Sequence, residues 1–254
     1  MPKGRRTIFE HANECLFAID GNCISYVESF SHLGHLITSN CSDDEDINKR
    51  RNDFIGQVNN TVCYFRKLDS FVKYNLFCAY CTSYYGCELW LLSNNYLEDF
   101  STTWRKSIRK VLSLSPRTHS ILLPVVCHCI PVFDEFCRRS LNFIRSCTSH
   151  ESALIRFIAY YGVTFFRGFS VLGQNISFCT YRYDCSLFDV LYGSINNTVH
   201  SYVADSVSDI NLCYGNFLTE LIMIRDGILS ISDNITTDEL NIIIDFICTS
   251  QLAL

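Results

Sequence analysis

The feature that most limits the fold is a change of period at about residue 40. Before it, short apolar runs alternate around turn residues. After it, apolar residues recur mainly at helical spacing. Runs 16–19 and 24–27 flank Asp20-Gly21-Asn22. Asp-Gly between strand-like runs predicts a hairpin, because the tight turn needs residues that tolerate positive φ. A third run, 30–37, carries Gly34, which inside a strand predicts a bulge or a close approach by another group.

The residues after Asn40 predict a series of helices. Ser42, Asp43, Asp44, Glu45 and Asp46 suit a helix start, through capping side chains and the helix dipole. That helix is expected to run to about Leu68, with Ile47, Phe54, Ile55, Val58, Val62 and Phe65 on one face. Ser70 is expected to cap an aromatic-rich helix over 71–92. Others are expected over 96–114, 131–147 and 152–161, the last ending at Gly162. Residues 165–185 show no clear period and read as loop with short strands. Three further helices are expected over 187–203, 214–228 and 237–249. The last is the clearest, with Thr237 as cap and Leu240, Ile243, Ile244 and Ile247 on one face.

Composition narrows the classes. Apolar residues make up 48% of the 254 and charged ones 19%, enough for a core and too apolar for intrinsic disorder. The net charge is −5, but it is uneven: residues 1–150 hold 17 Lys/Arg against 15 Asp/Glu, and residues 151–254 hold 4 against 11. An electrostatic footprint for phosphates therefore belongs to the first part. The 15 cysteines read as reduced core residues of an intracellular protein, because His11-Ala12-Asn13-Glu14 interrupts any signal-peptide core. The Asn-x-Ser/Thr triplets at Asn40, Asn59, Asn175, Asn196 and Asn234 then read as chance. No uncharged apolar run reaches membrane-spanning length.

Hairpin, Phe30-x-x-Leu33-Gly34-His35-x-Ile37, and an acidic helix start followed by a basic run together resemble the end of a reverse transcriptase of non-LTR (LINE-type) retrotransposons. The resemblance continues through Tyr85-Gly86-x-Glu88-x-Trp90, through 104–114, and to 221–250 with Arg225-Asp226-Gly227. It implies a mainly α fold: an N-terminal β-hairpin remnant of a polymerase palm followed by a helical thumb-like bundle. The implied division is 1–40 as palm edge and primer grip, 41–150 as thumb-like region, and 151–254 as acidic helical region. It implies that fingers and most of the palm precede Met1, and that orphaned strand edges promote aggregation.

The resemblance also frames the chemistry. Polymerases of this family use carboxylates, including a Tyr-x-Asp-Asp turn, to hold two Mg²⁺ ions. The one Asp-Asp here, Asp43-Asp44, lies after the Leu-Gly stretch and reads as a helix start, so no catalytic residue is assigned and the chain is expected to be non-catalytic by itself. No cofactor is expected in this chain; Mg²⁺ is expected only with the missing palm. In the segment 104–114, Trp104, Ile108, Val111 and Leu112 form a core face and Arg105, Lys106, Arg109 and Lys110 the opposite one. With Leu33 and Gly34 as primer grip, and Lys49, Arg50 and Arg117, these are the candidate nucleic-acid-binding residues. Arg51, Arg66, Lys67, Lys73, Arg138 and Arg139 are candidate extensions. The expected partners are an RNA–DNA template–primer duplex, held weakly and without sequence preference, and the palm and fingers of the parent polypeptide; no membrane is expected.

Cys78-x-x-Cys81 and Cys127-His128-Cys129 fall short of a matched zinc-ligand set, so no metal site is assigned. Aromatics over 71–90 read as core before they read as a base-stacking platform. The competing reading is a domesticated helical protein–protein interaction module that binds no nucleic acid.

Overall fold

The structure, a computed structural model, describes residues 18–203 apart from 21, 24–25, 128, 166, 196–198 and 200. The expected helices over 214–228 and 237–249, the triplets at Asn196 and Asn234, and Arg225-Asp226-Gly227 lie outside the described residues. The chain divides into two compact units, residues 1–46 and 47–254.

In the first unit, β1 (Ala18–Ile19) pairs antiparallel with β2 (Asn22–Cys23), with Ile19 opposite Asn22 and Asp20 at φ 48°, as a tight turn between the two runs requires. The run 30–37 differs from expectation. It folds on itself as a second hairpin, β3 (Ser29–His32) against β4 (His35–Thr38), in the register Phe30↔Ile37 and His32↔His35. Gly34 is therefore a turn residue and not a strand bulge. Leu33 and Gly34 have φ 48° and 84°, the pair of positive values of a two-residue turn whose twist matches its strands. Glycine adopts this without strain; leucine does so at a cost of order 1 kcal/mol. Asp46 fixes this hairpin to the first helical turn. Its carboxylate, nearly fully buried, accepts from the Leu36 backbone N–H at 3.0 Å and lies 3.4 Å from His35 Nδ1.

The second unit is mainly helical. Helix α1 (Asp44–Tyr64) begins at the acidic cluster and buries Ile47, Phe54 and Val58, while Ile55 and Phe65 face water. Helix α2 (Ser70–Cys81) is capped by Asp69, whose side chain accepts from Val72 N–H at 2.8 Å, and not by Ser70. It stops eleven residues before the expected end. Tyr84 at φ 41° and Gly86 at φ 87° break the helical path, and a single 3₁₀ turn, Cys87–Leu89, carries the chain to Trp90.

Helix α3 (Tyr96–Val111) follows, then α4 (Leu122–Val126), α5 (Val132–Thr148), α6 (Ala153–Thr164, passing through Gly162), α7 (Val171–Arg182) and α8 (Leu187–Tyr192). Ser113 at φ 56° ends α3, with Leu114 N–H on the Arg109 carbonyl and Ser113 N–H on that of Lys110. The α7 span corrects the expected loop over 165–185. Ser170 caps it by accepting from Gly173 N–H at 3.0 Å, and its inward face is Gly173, Asn175, Ile176 and Cys179.

The core is an aromatic cluster. Phe100 lies 5.3 Å from Phe136 and 5.5 Å from Phe54 between ring centroids, and Phe136 meets Trp90 and Tyr84 edge-on at 5.6 and 5.5 Å. Helix α5 packs on α3, α6, α7 and α8, so the core continues across residue 150 from Ile47 to Val199. Asn175 braces it. Its Oδ1 accepts from Leu92 N–H at 2.9 Å, and its Nδ2 donates to the Trp90 carbonyl at 2.8 Å and to Ser140 Oγ at 3.0 Å. Buried polar groups satisfied in this way hold a chain segment in register at little net cost.

Candidate nucleic-acid interface

Helix α3 has the two faces its sequence predicts. Leu97, Phe100, Trp104, Ile108 and Val111 are buried, and the cations lie off that face. The cations nevertheless differ in what they are free to do. Arg109 turns inward: its Nε and Nη2 donate to the Thr118 carbonyl at 2.9 and 2.6 Å, and Nη2 also donates to Ser120 Oγ at 2.9 Å. Burial, with Arg105 nearby, lowers its pKa from the ordinary arginine value. Its guanidinium staples the loop after α3 and is not offered to a ligand. Arg105 donates from Nη2 to Glu98 Oε1 at 2.7 Å and to Thr102 Oγ1 at 2.8 Å. Lys110 reaches Asn59 Oδ1 on α1 at 2.7 Å, an exposed contact that a phosphate can replace. Lys106 is exposed on the outer face.

The remaining candidates separate in the same way. Lys49 on α1 and Arg117 in the loop after α3 are exposed. Arg50 lies 5.0 Å above the Tyr85 ring, a cation–π stack. Arg51 faces Asp99 at 3.5 Å. Arg66 and Lys67 are exposed beyond the end of α1, and Lys73 is half-buried. Leu33 and Gly34 sit at the tip of the second hairpin in the other unit, with Leu33 77% exposed.

Arg138 and Arg139 are spent internally and do not extend the basic track. Both donate to Glu135, each at 2.7 Å, and Arg139 also donates to the Ser83 and Thr82 carbonyls and lies over Tyr84. Burial raises the Glu135 pKa, but the hydrogen bonds from Arg138 and Arg139 outweigh it and hold the carboxyl below its ordinary value.

Sequence reasoning missed two clefts beside these helices. One, of about 380 Å³, is lined by Asn52, Asp53, Gln57 and Asn60 of α1 together with Arg50 and Tyr85. The other, of about 400 Å³, lies beside α3, where Arg105, Glu98, Asp134 and Arg182 meet the apolar Phe133 and Phe178. Asp134 is buried and accepts from Arg182 Nε at 2.9 Å and Tyr183 O–H at 2.8 Å. Burial disfavours the Arg182 charge, yet the bond to Asp134 prevails and raises its pKa. Both arginines of this cleft are thus already neutralised by carboxylates. Pairings between helices of different sequence position leave no local pattern that could have revealed them.

Among the described residues no three His, Cys, Asp or Glu side chains converge as metal ligands, and no helix is long and apolar enough to cross a membrane. The aromatics over 71–90 divide: Phe77, Tyr84 and Trp90 are core, while Phe71, Tyr80 and Tyr85 are exposed. The chain matches no protein-family model, no curated protein and no solved structure.

Proposed function

We propose that this chain is a non-catalytic, nucleic-acid-holding element, resembling the primer grip, thumb and C-terminal region of a LINE-type reverse transcriptase. It grips an RNA–DNA duplex weakly through phosphates, without reading sequence. The reading is supported by the outer face of α3, where Lys106 and Lys110 stand opposite a fully buried apolar face. Lys49 on α1 and Arg117 add cations of the same kind. The helical bundle takes the thumb role and the Leu33-Gly34 turn that of the primer grip; the palm with its paired Mg²⁺ chemistry belongs to the parent polypeptide.

The test is fluorescence anisotropy with an RNA–DNA heteroduplex across a salt series, comparing the chain with Lys49→Glu/Lys106→Glu/Lys110→Glu. The expected result is at least a tenfold weaker affinity and a salt slope reduced by about 2–3, from about 0.9 per phosphate contact. An unchanged affinity and slope overturns the reading. A second reading, a helical protein-interaction module without nucleic-acid binding, is favoured by one observation: the outward face of α6 is aromatic and aliphatic. Absence of heteroduplex binding by the unaltered chain at low salt selects it.

A further inference from the structure

Helices α5 and α7 meet along one antiparallel seam that hydrogen bonds fix at both ends. At one end Asp134 of α5 accepts from Arg182 Nε of α7 at 2.9 Å. At the other, Asn175 Nδ2 of α7 donates to Ser140 Oγ of α5 at 3.0 Å. Each turn forward along α5, from 134 through 137 to 140, is therefore matched by a turn back along α7, from 182 through 179 to 175. Cys137 and Cys179 fall opposite one another midway, and both are fully buried free thiols. They hydrogen-bond to one another. That bond, and then burial, raises the Cys179 pKa from the ordinary thiol value, while Arg182, one turn on, opposes the rise.

We propose that Cys137 and Cys179 are an oxidisable pair, which a small-molecule disulfide converts into a protein disulfide linking α5 to α7. The Cys179 thiolate attacks one sulfur of the reagent, expels one thiolate and leaves a mixed disulfide. The Cys137 thiolate then attacks the Cys179 sulfur and expels the second. The protein gives up two electrons and two protons, and the reagent leaves as two thiols. With both sulfurs buried, the first attack waits for α7 to lift from α5. Arg182 then favours the Cys179 thiolate, since burial no longer opposes the charge.

The position of the pair gives the bond a consequence. Residues 138–178, with all of α6, lie inside the loop it closes. Closing a loop of that length restrains the unfolded chain, so the oxidised bundle is the more resistant to unfolding. Cys127 and Cys129 also touch, but they stand two residues apart in one stretch of chain, and a bond between them joins no two helices. The inference stands apart from nucleic-acid binding and holds or fails without it.

The test incubates the reduced full chain with glutathione disulfide, caps remaining thiols with N-ethylmaleimide and maps the products by non-reducing mass spectrometry. The expected result is glutathione adducts first at the exposed Cys41, Cys63 and Cys78, then a slower peptide linking Cys137 to Cys179 within one chain. Urea below the unfolding transition is expected to speed the link at least threefold and to leave the rate at Cys63 unchanged. The linked chain is expected to unfold at higher urea than the reduced chain, a rise absent from Cys179→Ala. Recovery of both Cys137 and Cys179 as maleimide adducts overturns the proposal, as does a link from either to another cysteine. If Cys179→Ala loses helicity, Cys137→Ala takes its place in the urea measurement, and a rise in that variant on oxidation overturns the proposal.

Discussion

Along α3 the large apolar side chains point inward and the charged ones outward, whereas α6 buries its small residues and turns its large ones to water. The two helices are of similar kind, and each packs on α5. The difference shows that periodicity and partnership are separate properties. The stripe on α3 meets Phe54, Trp90 and Phe136 within the described residues. The large side chains of α6, Leu154, Phe157 and Ile158 among them, are instead mostly exposed. An apolar stripe thus says that a helix must be covered, and tertiary structure says by what.

The contrast can be broken by truncating one aromatic on each helix. Phe100→Ala is expected to cost about 4 kcal/mol in urea unfolding, since it leaves a cavity among four aromatic rings. Phe157→Ala is expected to cost less than about 1 kcal/mol by the same measurement, because most of the ring already faces water. Equal costs would mean that α6 is as deeply packed as α3.

A smaller effect separates two cations on one helix. Arg109→Ala removes three hydrogen bonds that hold the loop after α3 and is expected to destabilise by about 1–2 kcal/mol. Lys106→Ala is expected to stay within about 0.5 kcal/mol, and to weaken heteroduplex binding more than Arg109→Ala does. The reverse order in binding would relocate the basic track to the inward-turned arginine.

The smallest effect is electrostatic. Glu135 is held below its ordinary pKa by Arg138 and Arg139, so its contribution is fully present above the unfolded value of 4.5 and is lost as pH falls through the lower folded value. The urea midpoint of the chain is therefore expected to exceed that of Glu135→Gln at pH 6, with the gap closing below about pH 4.

Much of the bundle was legible in the sequence because α1, α3 and α5 separate apolar from charged residues at helical spacing. The break at 82–86 was not, since aromatics surround 71–90 on every side and hide the loss of period. Nor was α7: its buried face includes Gly173 and Asn175, and a polar residue inside reads as loop until its partners on Leu92, Trp90 and Ser140 are in place. The first hairpin turn was readable from Asp-Gly, while the second was masked by a leucine where turns rarely place one. For the candidate interface, the basic face of α3 was legible as a pattern. The pattern could not distinguish Lys106, which faces water, from Arg109, whose partners come from the following loop. Arg138 and Arg139 were likewise indistinguishable from solvent-facing cations until Glu135, Ser83 and Thr82 were seen around them.

The brace at Asn175 carries a further consequence. Asn175-Ile176-Ser177 is an acceptor triplet for N-linked sugar, yet in the folded protein the Asn175 side chain is 1% exposed and its amide nitrogen is committed to Trp90 and Ser140. A sugar added there would occupy the nitrogen that the core requires and wedge α7 away from α5. Glycosylation at this position and folding of the bundle are mutually exclusive fates of one side chain, so a chain exposed to glycosylating machinery before α7 docks would be committed by a single covalent event to remaining unassembled.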